Sequence, residues 1–177
     1  VSAYISAMGS SGTIAAGDFL KKQFSGSKIA ASEAAQCPTL LANGFGEHRI
    51  EGIGDKHVPW IHNVKNTDLV IAVDDEASVS AIRLFNEPAG KRHLAGRGLE
   101  PALIEKLSLL GISGAANLIS AIKMAKWYEL GRESVVMTVL TDSVEMYRSR
   151  LSELNAERGA FTEVDAAVAH ERHILGA

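Results

Sequence analysis

The chain reads as an α/β protein of three layers, α/β/α, with helices on both faces of a mainly parallel sheet. Three observations predict this class. Short apolar runs alternate with segments of helical periodicity along the whole length. A small-residue turn, Gly9-Ser10-Ser11-Gly12-Thr13, joins an apolar run to a helix-like one. Ser134–Leu140 is apolar and β-branched almost throughout, as expected for a strand covered on both faces. With 177 residues and 46% hydrophobic content there is enough apolar material for one core, so residues 1–177 are expected to form a single domain.

Each element follows from its own local pattern. Ala3–Met8 is an apolar strand, and the helix after the glycine turn, Thr13–Phe24, carries Ile14, Phe19, Leu20 and Phe24 roughly on one face. Ser25-Gly26-Ser27 stops it, and Lys28–Glu33 reads as a second strand. Pro38, Gly44, Gly46, Gly52, Gly54 and Pro59 break up residues 34–66, leaving loops and one helical turn near Pro38–Ala42. Leu69–Val73 is a third strand, and Asp74-Asp75-Glu76 supplies the cap and the favourable first-turn charge for a helix over Glu76–Phe85. Pro88, Gly90, Gly96 and Gly98 interrupt the pattern before Pro101 opens a short helix to Leu107. Leu109-Leu110-Gly111-Ile112 reads as a short buried strand, followed by a long amphipathic helix, Ala115–Leu130. Helices over Ser143–Asn155 and Thr162–Leu175 complete the chain, the second with Thr162 as N-cap and Asp165 in its first turn.

Composition narrows the function classes. A net charge of −3, mixed along the sequence, offers neither a basic face for nucleic acid nor a Lys/Arg cluster for anionic lipid. No apolar run approaches a membrane span, and no leader resembles a signal peptide. The single cysteine, Cys37, excludes an internal disulfide and a cysteine-rich zinc site, fits a reducing cytoplasm, and is assigned to packing. Because Val1 leads straight into an apolar strand, an N-terminal part of the protein is expected to lie elsewhere.

The chemistry is expected where strands end. A glycine turn at a helix N-terminus presents backbone N–H groups and a positive dipole end to an anion, and Ser10, Ser11 and Thr13 add hydroxyl donors. The spacing is neither that of a dinucleotide fold nor that of a triphosphatase loop, so the pocket suits a single phosphate; the competing reading is a plain turn. Gly111–Gly114 and Leu140–Ser143 are similar junctions, and all three should meet at the carboxyl edge of the sheet. Other features have ordinary readings. His48, His57 and His62 lack partners at ligand spacing, so no metal site is expected, and His170 and His173 occupy a solvated helix face. Trp60 and Trp127 are assigned to packing, Leu118, Ile122 and Met124 to the core, and Asp74–Glu76 to capping.

Four landmarks in order resemble one family. Gly9-Ser10-Ser11-Gly12-Thr13 is similar to G-T-G-G-T, and His48-Arg49-Ile50-Glu51-Gly52-Ile53-Gly54 with Val58-Pro59 is similar to H-K-I-Q-G-I-G with I-P. Gly111-Ile112-Ser113-Gly114-Ala115 resembles G-I-S-S-G, and Leu140-Thr141-Asp142-Ser143 with Tyr147 resembles L-P-D-S and its tyrosine. Together they resemble the pyridoxal-phosphate enzymes of the tryptophan synthase β-like fold, closest to the cysteine synthase and cystathionine β-synthase branch. The resemblance runs from about Val1 to Leu151 and is to the C-terminal part, in the larger domain of those enzymes.

The resemblance implies that Gly9, Ser10, Ser11, Gly12 and Thr13 hold the phosphate of pyridoxal 5'-phosphate and that Ser113 hydrogen-bonds the pyridine nitrogen. Gly52, Ile53, Gly54, Thr141 and Asp142 would lie beside a small amino-acid substrate. It also implies β-replacement or β-elimination on such a substrate, and a homodimer. A serine hydroxyl is far too weak an acid to protonate the ring nitrogen, which suits loss of a β-leaving group. Three positions depart from the family: Ser11 for glycine, Gly114 for serine and Thr141 for proline. The stretch from Pro88 to Leu107 is longer than usual and is expected to form a lid or an interface. The Schiff-base lysine and the loop gripping the substrate carboxylate precede the glycine turn in this family, so the catalytic lysine is expected outside this chain, which alone would be inactive. Lys56, beside the Gly52–Gly54 segment, is read as a solvated loop lysine. Two other readings stay open: a non-catalytic α/β module binding a phosphate-bearing ligand or a partner chain, and a sugar-phosphate binder.

Overall fold

The computed structural model describes all residues from Val1 to Ala177. Four parallel strands form one sheet: β1 (Ala3–Ala7), β2 (Lys28–Ala34), β3 (Leu69–Val73) and β4 (Val136–Thr138), in the order β3-β2-β1-β4. In register, Ala3 faces Lys28 on one side and Val136 on the other, while Ala30 faces Leu69. Alternation along β1 and β2 splits the core between the two faces. Tyr4, Ile29 and Ala31 pack with Ile14 of α1 (Gly12–Gln23) on one side, next to the short α2 (Thr39–Ala42). Ala3, Ile5 and Ala30 face the larger cluster on the other side, which is built around α3 (Asp75–Asn86) and holds the buried Leu94, Ile119, Met124 and Ala166. Those four come from α4 (Pro88–Gly96), α6 (Ile112–Trp127) and α8 (Glu163–Ala169), with α5 (Pro101–Lys106) and α7 (Arg148–Arg158) at the margins. The three-layer parallel architecture expected from the sequence is therefore present.

Caps behave as the sequence dictates. The Asp74 side chain accepts from Glu76 N–H at 2.7 Å to start α3, and Thr162 and Asp165 form a reciprocal capping box at the start of α8. Cys37 is buried beside the Thr39 hydroxyl, and Lys56 is exposed. No single helix is long and apolar enough to cross a membrane.

Several elements differ from the pattern reading, each for a local reason. In α1, Ile14 is buried while Phe19 is 63% exposed, because Phe19 lies about 140° round the helix from Ile14. Gly17 holds the inner face instead, since a Cβ there would come within 2.8 Å of the Ile29 side chain; Phe24 lies beyond the last helical turn and is also exposed. Leu109–Ile112 is not a strand. A 3-10 turn covers Leu107–Leu109, α6 starts at Ile112, and Gly111 N–H bonding to the Asp142 carbonyl replaces a ladder. The Ser134–Leu140 run supplies only three ladder residues, and as an edge strand it leaves Val135, Met137 and Leu140 exposed rather than covered on both faces. The Pro88–Leu107 stretch forms no lid. Leu94 of α4 is buried in the core, and Arg92 and Arg97 pair with Glu163 and Glu171 of the C-terminal helical segment. That segment relaxes from α to π geometry at His170–Leu175, and the helix expected from Ser143 begins as a 3-10 turn, Val144–Tyr147. Trp60 and Trp127 are exposed rather than packed. His170 is not merely solvated: its Nδ1 lies 3.1 Å from His93 Nε2 with the rings edge to face.

Candidate functional site

The carboxyl ends of β1 and β4 part around one side chain. Asn117, buried in α6, accepts from Ala7 N–H through Oδ1 at 2.8 Å and donates from Nδ2 to the Val139 carbonyl at 2.9 Å. The β1–β4 ladder ends at Ile5–Thr138, and the amide takes the place of the next rungs. With β2 on one side of β1 and β4 on the other, this is where the strand order reverses, the position at which parallel sheets open a crevice.

A cavity of about 270 Å³ lies there, near the lower end of the usual range for small-ligand sites. Its lining includes Gly9, Ser10, Ser11, Gly12 and Thr13 on one side, Gly52 and Ile53 above, and Ser113, Asn117 and Thr141 opposite. All three expected junctions thus contribute to one hollow, Gly111–Gly114 as the start of α6. Gly54 and Asp142 support it from behind. Gly54 N–H donates to the Met8 carbonyl at 2.7 Å, clamping the Gly52–Gly54 turn over β1. Gly52 and Gly54 have φ of +84° and +88°, conformations that favour glycine, and a Cβ at Gly54 would strike the His48 ring. Asp142 turns away, its carboxylate against the Gly111 Cα and accepting from the Tyr147 hydroxyl at 2.5 Å. Burial, reinforced by that bond to the carboxylate, holds the Tyr147 phenol well above its ordinary range, so it is a fixed proton donor.

The electrostatics of the hollow come from dipoles alone. None of its lining residues is charged. The backbone N–H groups from Gly9 to Ile14 donate to no acceptor in the protein, a longer run than a helix start alone leaves unpaired. They converge at the positive end of α1, where an anion is favoured. Ser11 sits in the left-handed region at φ +64°, a conformation that turns the chain into the helix and that glycine adopts more readily. Its hydroxyl is buried 3.4 Å from the Gly9 carbonyl. Ser6 donates to Thr13 Oγ1 at 2.6 Å, leaving the Thr13 proton free to face the hollow. Opposite, Ser113 Oγ lies 3.2 Å from Thr141 Oγ1. No lysine lines the cavity, and no cluster of His, Cys, Asp or Glu is arranged to hold a metal.

No family model matches the chain. It is 30% identical over 147 residues to cysteine synthase B of Campylobacter jejuni and 29% identical over 150 residues to cysteine synthase of Staphylococcus aureus, covering 82% and 84% of the chain. The chain is homologous to part of the cysteine synthases. It spans 42% of the length of each of these relatives. The structure of a hydrogen sulfide-producing enzyme from Fusobacterium nucleatum superposes with a TM-score of 0.65 at 27% identity, over 96% of this chain and 44% of that one. The cysteine-synthase-like resemblance and the α/β fold expected from the landmarks are borne out.

Asn117, and Ser6 that donates to the Thr13 hydroxyl, were not legible as site residues. The available signal for Asn117 was a lone amide among the Ala, Ile and Leu residues of an amphipathic helix, where burial would demand partners for both ends of the amide.

Proposed function

We propose that this chain is the cofactor-binding part of a pyridoxal-phosphate enzyme that carries out β-replacement or β-elimination on a small amino acid such as an activated serine or cysteine. The observation that carries it is the uncharged hollow with unpaired amides at one side and a buried serine hydroxyl at the other. Homology to the cysteine synthases supports the same reading.

The residues fit the group. The Gly9–Ile14 amides and the Thr13 hydroxyl would hold a phosphate dianion without a lysine or arginine, and Ser113 would meet a heteroaromatic nitrogen. Bound there, pyridoxal 5'-phosphate supplies an electron sink for breaking bonds at the α and β carbons of an amino acid. The chain's own residues orient and enclose. Asn117 keeps the strand ends apart, and the Gly52–Gly54 turn brings bare backbone close to the reacting end. Ser113 keeps its proton, because a hydroxyl is too weak an acid to give it up to a pyridine. With no lysine in the hollow, the covalent anchor is expected from another part of the protein, and a cytoplasmic homodimer belongs to the same proposal.

The test is a titration of the protein, as its gene encodes it, with pyridoxal phosphate. Saturable binding with visible absorbance that shifts on adding O-acetylserine or cysteine is the expected result. Absence of saturable binding overturns the reading, and preferential binding of sugar phosphates would replace it.

A further inference from the structure

Thr141 stands where the resembling family has proline, a residue with no hydroxyl. We propose that Thr141 is a positioning residue that orients the Ser113 hydroxyl toward the ring nitrogen of the bound cofactor; this rests on the function proposed above. Ser113 Oγ has one proton to give and lone pairs to fill. Ser113 is buried, and the Thr141 hydroxyl 3.2 Å away is the side-chain partner the structure provides. When Thr141 donates, the Ser113 proton is freed for an acceptor in the hollow, and the two bonds polarise each other in the same direction. When the ring nitrogen instead carries a proton, the chain runs in reverse, Ser113 accepting from the ring and donating to Thr141 Oγ1. Either way the serine is fully paired, whereas proline has no hydroxyl to offer it.

The threonine is held in place for this. Its neighbour Asp142 accepts from Gly111 N–H through its carbonyl at 3.0 Å and from Tyr147 through its carboxylate. That carboxylate lies over the Gly111 Cα, where a Cβ would come within 1.8 Å of Oδ1. Residue 142 is thereby pinned to the start of α6, two positions before Ser113, which holds the two backbone segments that carry the hydroxyls side by side.

A double-mutant cycle on the full protein tests it, with the dissociation constant of pyridoxal phosphate and the absorbance maximum of the bound form as readouts. Thr141→Val should weaken binding about 3- to 5-fold and move the maximum toward that of Ser113→Ala, while Thr141→Ser should restore both. In the Ser113→Ala background Thr141→Val should have no further effect. Thr141 is exposed, so its substitution leaves the fold intact, which the melting temperature checks. An equal loss in both backgrounds, or no rescue by serine, overturns the role of Thr141. A wild-type protein that binds no pyridoxal phosphate overturns the function itself as well.

Discussion

Two of the molecule's cavities, similar in size, are opposite in their electrostatics. The hollow at the end of β1, about 270 Å³, has no charged lining residue and a run of unpaired amides. The other, about 200 Å³, lies between the His48–Glu51 segment, α3 and α7, with Arg49, Glu51, Arg150, Glu153 and Glu157 around a floor of Val79, Ile82, Ile112 and Leu154. There Arg49 pairs with Glu157, and Arg150 with Glu51 and Glu153. The arginines of the charged cavity are already paired from within; the amides of the uncharged one are not. Unsatisfied donors, rather than charge or volume, mark the place that a phosphate would stabilise.

The contrast is broken most severely by placing a carboxylate among the amides. A Cβ at Gly12 meets nothing within 4 Å, so Gly12→Asp can enter without displacing a neighbour at its root, and its charge would occupy the helix dipole. Pyridoxal phosphate affinity should fall about 100-fold, ~2.7 kcal/mol. Stability should hold or rise by roughly 0.3–1 kcal/mol, since an acid in the first turn favours the helix. A thermal melt beside a binding titration separates the two effects. A gain in stability with no loss of binding would make the glycine turn only a turn.

Asn117→Leu attacks the crevice from below. It leaves Ala7 N–H and the Val139 carbonyl without their partner. At roughly 1–3 kcal/mol for each of the two unsatisfied groups, unfolding in urea should be easier by about 2–6 kcal/mol. If the strands simply closed and paired, the cost would be small and the cavity would be lost, so a small change in stability with abolished binding would be equally decisive about the amide's role.

How much of this was legible beforehand depended on the range of the interaction. Caps and turns are written in neighbouring residues: Asp74 before α3, the Thr162–Asp165 box, and glycines at positive φ in the Gly52–Gly54 turn. The glycine turn could be named because a tight turn at a helix start demands small side chains, whereas Ser113, Thr141 and Asp142 were named through the family resemblance of their motifs. Asn117 could not be placed, because its partners lie 110 and 22 positions away. The Ser134–Leu140 run was read as covered because apolar β-branched composition does not distinguish a central strand from an edge one. Leu109–Ile112 misled for a related reason: a short apolar run says that side chains are buried, not which backbone geometry buries them.

The far end of α1 sharpens the comparison at a smaller magnitude. The helix that presents bare amides to the hollow is anchored at its other end by charge: Lys21 meets Asp68 at 2.7 Å and the Asn66 carbonyl at 2.9 Å, and Asp68 accepts from Ile29 N–H. Burial pushes the Asp68 carboxyl up, but Lys21 and the Ile29 amide outweigh it and hold the net value below the ordinary range. A depressed carboxyl stabilises the fold at pH above its unfolded value, about 3.9, and that contribution is lost as pH falls through the folded value. Asp68→Asn should therefore cost roughly 1–2 kcal/mol at neutral pH and flatten the acid limb of a stability–pH curve. An unchanged acid limb would show that the anchor is not what titrates.

The smallest effect is expected in the charged cavity, and there a near-zero result is informative. Glu157→Gln removes the partner of Arg49 in a pair whose side chains are 54% and 56% exposed, so stability should change by less than about 0.5 kcal/mol. It also frees a guanidinium beside an apolar floor, the most favourable change that could turn this cavity into an anion site. Pyridoxal phosphate binding should nevertheless keep its single affinity, because a half-exposed arginine is satisfied by water at little cost, whereas the amides at the end of β1 are fixed in direction by the helix and have no side chain to swing away. A second class of bound phosphate in Glu157→Gln would mean that charge can substitute for preorganised dipoles, and that the two cavities differ in degree rather than in kind.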